Sequence, residues 1–121
     1  MSNILIVDDS STMRKIISRS LRQAGLAVDT IYEAADGIEG LNALGQGDSV
    51  DLILSDINMP NMDGLEFVKQ ARAQGFKAPI MMITTEGGED IIGEAMKNGA
   101  NGSIRKPFTP DQLQEKLGGL I

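Results

Sequence analysis

The chain has 121 residues, a formal net charge of −6, no cysteine and no histidine. Its length fits one domain with a sizeable core, and its acidic balance argues against nucleic acid or an anionic membrane surface as a partner. The missing residue types exclude disulfides, thiolate metal sites and nucleophiles that histidine activates. Carboxylate, hydroxyl and amine groups remain for chemistry, and oxygen ligands favour hard cations.

Short apolar runs alternate with amphipathic segments along the chain, a pattern that predicts βα units. The predicted strands cover 3–7, 28–33, 51–55, 79–83 and 102–105, and the predicted helices cover 11–24, 37–45, 64–73 and 88–97. Gly25 and Gly99 are suited to left-handed helix caps. A last helix follows Thr109 as its N-cap, with Pro110 at the first helical position and Gln112 completing a capping box.

Five such units predict an α/β fold of the flavodoxin-like (βα)5 type. Right-handed crossovers cover both faces of a doubly wound parallel five-stranded sheet in the order 2-1-3-4-5. We expect one domain over residues 1–121, with no output domain. No apolar stretch reaches the length of a membrane span, and no signal peptide precedes the first strand, so we expect a cytoplasmic protein.

Polar residues stand where four of the predicted strands end. Asp8 and Asp9 follow the first strand, Asp56 the third, Thr84 the fourth and Lys106 the fifth. Ligands of such sheets bind at the carboxyl edge, at the switch point between strands one and three. Three carboxylates, a hydroxyl and an ammonium therefore converge there, a set suited to Mg²⁺ and a phosphoryl group.

Each of these residues has a chemical role in such a site. Asp56 is suited to be a nucleophile that forms an aspartyl phosphate, provided that charge repulsion is neutralised. A divalent cation held by Asp9, Asp56 and the backbone carbonyl of Asn58 would neutralise it. Lys106 would pair with one phosphate oxygen, and the hydroxyl of Thr84 would donate to another.

Each residue also has a simpler interpretation when it is taken alone. An aspartate after a strand is more often a helix cap or a turn former, and Ser10 or Ser11 is suited to cap the first helix. The basic residues Lys15, Arg19 and Arg22 are interpreted as a solvated helix face. Suitable polar residues follow four predicted strands in order, and this combination favours a chemical role over the simpler interpretations.

Five motifs together carry a family resemblance. They are Ile6-Val7-Asp8-Asp9-Ser10, Ser55-Asp56-Ile57-Asn58-Met59-Pro60-Asn61-Met62-Asp63-Gly64, Ile83-Thr84-Thr85-Glu86, Gly99-Ala100-Asn101-Gly102 and Lys106-Pro107-Phe108. In this order, and over the whole chain, they resemble the receiver domain of two-component response regulators. The resemblance is greatest to the stand-alone receivers of chemotaxis.

The resemblance implies a role for each site residue. Asp56 would be the phosphoacceptor, Thr84 the switch hydroxyl and Lys106 the phosphate partner, with a cis bond before Pro107. Asp9 would be a direct ligand of Mg²⁺, and Asp8 would act largely through water.

The resemblance also implies partners. A sensor histidine kinase would donate the phosphoryl group, and a flagellar motor switch component and a phosphatase would bind the chain, which we expect to be a monomer. Asn58 and Glu86 would tune dephosphorylation.

Two positions depart from the family pattern. Ser103 stands three residues before the lysine, where receivers usually carry a tyrosine or phenylalanine that rotates on activation. The usual coupling of threonine to aromatic ring therefore cannot operate in its normal form. Thr85 stands beside the pocket, at a position where similar receivers often carry an alanine. Its larger side chain would slow the access of a phosphoryl donor or of the attacking water.

Other functions stay open at this point. A phosphorelay intermediate and a phosphorylation-independent binding module both use the same fold, and Ser103 is compatible with each. An aspartate-nucleophile phosphatase would need an Asp-x-Asp pair, and Asp8-Asp9-Ser10 fails that spacing. A nucleotide or flavin binder would need a Gly-x-x-x-x-Gly-Lys loop after the first strand, which the chain lacks.

Overall fold

The computed structural model describes residues 2–46, 49–85 and 89–121. Within them, five strands alternate with five helices. The strands are β1 (Ser2–Val7), β2 (Val28–Ala34), β3 (Leu52–Ser55), β4 (Ile80–Thr84) and β5 (Gly102–Arg105). The helices are α1 (Ser11–Gln23), α2 (Gly37–Leu44), α3 (Gly64–Ala73), α4 (Glu89–Asn98) and α5 (Pro110–Leu117).

The five strands form one parallel sheet in the order β2-β1-β3-β4-β5. This confirms the predicted fold class and strand order. The switch point lies between β1 and β3, where the carboxyl ends of the strands create a crevice for ligands. None of the helices in the described part of the chain combines the length and the apolar character that a membrane crossing needs.

Alternate residues of the central strands belong to two buried clusters, one on each face of the sheet. In β1, Leu5 and Val7 belong to the first cluster, and Ile4 and Ile6 belong to the second. Helices α2, α3 and α4 pack on the first cluster, and α1 and α5 pack on the second. Burial on both faces explains why these strands are continuous apolar runs in the sequence.

The observed helix and strand bounds differ from the predicted ones by one residue at most. The strand predicted at 51–55 begins at Leu52, and Asp51 just before it bonds twice to Asn3: its carboxylate accepts the Asn3 N–H and its own N–H donates to the Asn3 carbonyl, both at 2.8 Å. The strand predicted at 79–83 covers 80–84, and the carbonyl of Thr84 accepts the N–H of Lys106 at 3.0 Å. The ends of β4 and β5 are therefore joined directly.

The predicted helix caps are present. Thr109 accepts the N–H of Gln112, and the Gln112 side chain accepts the N–H of Thr109, which completes the capping box. Gly25 and Gly99 have positive φ angles of 78° and 120°, the conformation that favours glycine after a helix.

The turn between β3 and α3 lies tightly against the end of β3. Asp63 caps α3 by accepting the N–H of Glu66 at 2.9 Å, and the N–H of Gly64 donates to the Ile57 carbonyl at 2.7 Å. A Cβ atom on Gly64 would overlap the Asp56 carbonyl oxygen and would lie 2.8 Å from the Ile57 Cα. Glycine at this position therefore allows α3 to start directly beside Asp56.

Gly64→Ala should lower the free energy of unfolding by about 1–3 kcal/mol or more, because the atoms in the way are backbone atoms that cannot move aside. The matched control is Gly93→Ala inside α4, where no atom lies within 4 Å of the added Cβ. That change should raise stability by about 0.5–1 kcal/mol. Urea unfolding followed by circular dichroism measures both, and a stable Gly64→Ala chain would contradict the tight approach.

Candidate functional site

The strand register sets which functional residues are neighbours. Val7 at the end of β1 pairs with Ser55 at the end of β3, so the next residues, Asp8 and Asp56, leave the sheet at the same level. Residues far apart in the sequence therefore become neighbours at the carboxyl edge. Lys106 follows β5, two strands away from Asp56, and its long side chain extends back across the edge.

Three carboxylates meet at this edge. Asp8, Asp9 and Asp56 each contribute one oxygen atom, and these three oxygens lie within 4.8 Å of one another. Asp8 is 2% exposed, whereas Asp9 is exposed, so the cluster opens to solvent on one side. The structure thus brings together the carboxylates that the sequence places after β1 and β3.

Lys106 connects two of these carboxylates. Its Nζ lies 3.1 Å from Oδ2 of Asp8 and 3.5 Å from Oδ2 of Asp56, and its side chain is 10% exposed. One ammonium thus contacts two carboxylates of a cluster of three, and the cluster keeps an excess of negative charge. This cation also stands within contact distance of the proposed nucleophile.

The environment of Asp56 disfavours its charged form. Burial raises the pKa of the Asp56 carboxyl above its ordinary value, and the negative charge of Asp8 adds to this shift. The N–H of Ile57, which donates to Asp56 Oδ1 at 2.7 Å, and the charge of Lys106 lower this pKa in opposition. A cation beside Asp56 would add to those lowering effects and favour the carboxylate.

The loop after β1 combines a helix cap with the acidic cluster. Ser10 caps α1 by accepting the Met13 N–H at 3.1 Å, and its own N–H donates to Asp8 Oδ1 at 2.9 Å. The capping interpretation of Ser10 is therefore correct, and it coexists with the cluster. The cap also fixes the side chain of Asp8.

A buried carboxylate outside the cluster joins two loops at the same edge of the sheet. Asp36 caps α2 by accepting the Glu39 N–H at 2.9 Å, and it also accepts Nδ2 of Asn61 at 2.8 Å. The bond from Asn61 is the main cause that lowers the pKa of Asp36. The N–H of Gly37 donates to the Met62 carbonyl at 3.1 Å, so the loops before α2 and α3 hold each other.

The other predicted site residues lie on the same edge or beside it. Thr84 ends β4 and is buried, and Asn58 is exposed in the loop two residues after Asp56. Thr85 is exposed, and Glu86 lies outside the described residues. The switch role of Thr84 and the ligand role of the Asn58 carbonyl stay predictions.

The donor set of the cluster fits a hard divalent cation. Three carboxylate oxygens within 4.8 Å of one another are the ligand type that Mg²⁺ prefers, and Mg²⁺ usually keeps several waters besides one or two carboxylates. The open side at Asp9 leaves room for those waters. A cation there would also offset the repulsion among the three carboxylates.

Sequence reasoning missed two residues that support the site: Arg14, whose Nη1 donates to the Asp8 carbonyl at 2.6 Å, and Asp36. Asp36 had a detectable signal, since an aspartate three residues before Glu39 at a predicted helix start is a capping pattern. Arg14 gave no comparable signal. Its partner Glu33 lies 19 residues away in the sequence, and only the packing of α1 against β2 brings them together.

A family model described as the response regulator receiver domain matches residues 4–118. The chain belongs to this family. Receivers bind Mg²⁺ at an acidic pocket, and the cluster of Asp8, Asp9 and Asp56 corresponds to such a pocket. The Lys106–Pro107 bond is cis, as the resemblance implies.

This receiver is similar to chemotaxis proteins. A CheY homolog of Campylobacter jejuni is 47% identical over 120 residues, which cover 98% of this chain and 91% of that protein. The structure of Vibrio cholerae CheY4 is 41% identical, with a TM-score of 0.86, and the match covers 100% of this chain and 99% of that chain. A chain in the structure of a CheX–CheY–BeF3–Mg complex from Borrelia burgdorferi is 29% identical, with a TM-score of 0.86. The match covers 99% of this chain and 90% of that chain. The receiver is therefore of the CheY type, a signalling protein and not an ordinary enzyme.

Ser103 lies beside an open groove at the edge of the sheet. Ser103 is half-buried on β5 and lines a cavity of about 550 Å³. The other lining residues are Ile104, Arg105, Lys106, Pro107, Gln112, Glu115 and Lys116. The groove thus extends from Lys106 along α5, beside the position where the family usually carries an aromatic ring.

Asp56→Asn should stabilise the metal-free receiver at neutral pH, because it removes a charge that the folded state disfavours. A raised pKa in the folded state means that ionisation of Asp56 costs stability as the pH rises. The advantage of Asp56→Asn should therefore be small near pH 4 and should grow until the pH passes the raised pKa. Urea unfolding in EDTA between about pH 4 and pH 8 measures this difference.

The matched control is Asp29→Asn, which removes an exposed carboxylate on β2. We expect this change to give no comparable dependence on pH. An advantage of Asp56→Asn that shrinks as the pH rises would contradict the assigned environment of Asp56.

Proposed function

We propose that this receiver is a phosphorylation-activated switch of a two-component system that accepts its phosphoryl group on Asp56. The observation that carries this proposal is the Lys106 ammonium, which contacts both Asp56 and Asp8 beside a third carboxylate. The cluster thus offers a nucleophile together with a cation for the incoming phosphate. The similarity to chemotaxis proteins supports a role in chemotaxis and in control of the flagellar motor.

The residues that would hold Mg²⁺ are Asp9 and Asp56 through their carboxylates, Asn58 through its backbone carbonyl, and Asp8 through water. When bound, the ion supplies charge neutralisation and a template for the phosphoryl oxygens. The chemistry of the three carboxylates supports this assignment. The related Borrelia structure, which contains BeF3 and Mg together, supports it independently.

The transfer step follows from the groups present. A carboxylate oxygen of Asp56 attacks the phosphorus of a phosphohistidine on a sensor histidine kinase. The O–P bond forms as the P–N bond breaks, and the electron pair of the broken bond stays on the imidazole nitrogen. The histidine belongs to the kinase, because this chain has none.

Lys106 changes its partner during this step. Its Nζ lies 3.5 Å from Asp56 Oδ2 before transfer, and afterwards it pairs with a phosphoryl oxygen as a compact point charge. The Thr84 hydroxyl donates to another phosphoryl oxygen. Since the Lys106 N–H already donates to the Thr84 carbonyl at 3.0 Å, movement of either residue is passed to β4 and β5 together.

Phosphorylation then biases a two-state surface that binds other proteins. The partners in this proposal are a sensor histidine kinase of the chemotaxis type, a flagellar motor switch component and a phosphatase. The CheX–CheY complex from Borrelia supports the binding of a further protein to a receiver of this kind. A single domain over 1–121, a monomeric state and a cytoplasmic location belong to the same proposal.

A second candidate function is a phosphorelay intermediate that hands its phosphoryl group to another histidine protein. Ser103 favours it, because a relay needs chemistry at Asp56 but less rearrangement of the surface along β5. Ser103 also lines a groove of about 550 Å³ beside α5, so this part of the β5 surface is open.

Incubation with acetyl phosphate and Mg²⁺ should add one phosphoryl group to the native receiver, measured as intact mass. EDTA should abolish the adduct, because the repulsion between Asp56 and the phosphate is then not neutralised. Asp56→Asn should also abolish it, whereas Asp29→Asn should be phosphorylated normally. An adduct on Asp56→Asn would move the acceptor to another residue.

Rapid hydrolysis would hide an adduct, so metal-dependent binding of beryllofluoride is the second measurement. If the native chain formed no adduct and bound no beryllofluoride, the phosphorylation proposal would be wrong. A phosphorylation-independent binding module would then be the better interpretation.

The switch and the relay differ in what phosphorylation does to partner binding. The switch predicts that beryllofluoride and Mg²⁺ increase the affinity for a motor switch component about tenfold, within the usual range of allosteric coupling. The relay predicts transfer of labelled phosphate from Asp56 to a second histidine protein without that increase. A pull-down with and without beryllofluoride, beside a transfer assay, separates the two functions.

A further inference from the structure

Arg14 links three elements at the acidic edge of the sheet. From the fourth residue of α1, its Nη1 donates to the Asp8 carbonyl oxygen at 2.6 Å, and its Nε donates to Glu33 Oε1 at 2.9 Å. The Arg14 side chain is 17% exposed, although it carries a full charge. The guanidinium therefore ties α1 to the end of β1 and to β2.

The carbonyl that Arg14 binds belongs to the peptide between Asp8 and Asp9. The N–H of Asp8 donates to Ala34 at 3.0 Å, and Asp8 Oδ1 accepts the N–H of Ser10 at 2.9 Å. With the Arg14 bond, the backbone is therefore held on both sides of the Asp8 Cα. The orientation of this peptide sets the direction in which the exposed Asp9 side chain leaves the chain.

The placement of Arg14 is unfavourable for the helix itself. The N-terminal end of a helix carries partial positive charge, so a cation in or near the first turn is destabilising there. Arg14, with its two hydrogen bonds, thus stands at a position where helix electrostatics alone would favour an acidic residue. This supports a role for Arg14 outside the helix.

We propose that Arg14 is a positioning residue for Mg²⁺ binding, which fixes the peptide between Asp8 and Asp9 and so orients the Asp9 carboxylate toward Asp56. The inference rests on the proposed function, which supplies the Mg²⁺ site. Arg14 itself touches neither the metal nor the phosphoryl group in this proposal. It acts through the backbone of the acidic loop.

Electrostatics alone predicts the opposite effect. A guanidinium beside three carboxylates repels a cation, so removal of its charge would strengthen Mg²⁺ binding. Glu33 pairs with Arg14 and reduces that repulsion, while both hydrogen bonds of the guanidinium remain. The sign of the change in Mg²⁺ affinity therefore separates positioning from charge.

The test is a calorimetric titration of the native chain and its variants with Mg²⁺ alone. Arg14→Gln and Arg14→Lys should each raise the Mg²⁺ dissociation constant about tenfold, as expected for loss of an outer residue that orients a ligand. Neither replacement presents N–H groups in the rigid fork of arginine. The matched control Arg19→Gln removes the same charge from an exposed position on the same helix and should leave the constant unchanged.

Unfolding in EDTA establishes that each variant is folded, and Arg14→Lys keeps the test decisive if Arg14→Gln does not fold. An unchanged or lower dissociation constant in the folded variants would overturn the inference and leave Arg14 a structural ion pair. A native chain that binds no Mg²⁺ would overturn the proposed function, and this inference with it. That result is distinct from an unchanged constant in the Arg14 variants.

Discussion

The mutual repulsion of three carboxylates within 4.8 Å is the constraint on which the rest of this receiver depends. Charges at that separation repel strongly where water is partly excluded, and burial of Asp56 adds a desolvation cost. Lys106 and the N–H groups of Ile57 and Ser10 offset part of this cost. The remaining excess of negative charge is what makes a divalent cation favourable there. In the proposed function, such a cation would in turn allow a phosphate to approach Asp56.

Repulsion favours cation binding only if the carboxylates cannot move apart. The parallel register fixes Asp8 and Asp56 at one level, and the lack of a Cβ on Gly64 allows α3 to pack against the Asp56 backbone. The bond from Asn61 to Asp36 ties the loop after β3 to the loop before α2. These contacts lie outside the cluster, yet they prevent the loops from relaxing. Rigid surroundings thus convert a destabilising arrangement of charge into affinity for a ligand.

Much of this arrangement is predictable from the sequence, because it rests on local patterns. The alternation of apolar runs with amphipathic segments predicts five βα units, which fit the observed strand order, and the capping residues give the helix starts. The cluster follows, since parallel strands bring their carboxyl ends to one edge. Arg14 was not predictable, because its bonds to Asp8 and Glu33 depend on how α1 packs against β1 and β2. The extension of β4 to Thr84 depends likewise on a bond from Lys106, the residue after the neighbouring strand β5.

In the proposed function, Ser103 separates the chemistry at the acidic cluster from the output of the receiver. Ser103 pairs with Met82 inside the sheet, whereas the carboxylates lie beyond the strand ends, so Ser103 leaves the acidic cluster intact. An aromatic ring at Ser103 would couple the cluster to the edge of the sheet through packing. Without it, the described contact between the cluster and the groove beside α5 is Lys106, which bonds to Asp8 and lines that groove. In the proposed function, a change at the cluster would therefore reach this groove through Lys106, as it exchanges a carboxylate partner for a phosphoryl oxygen.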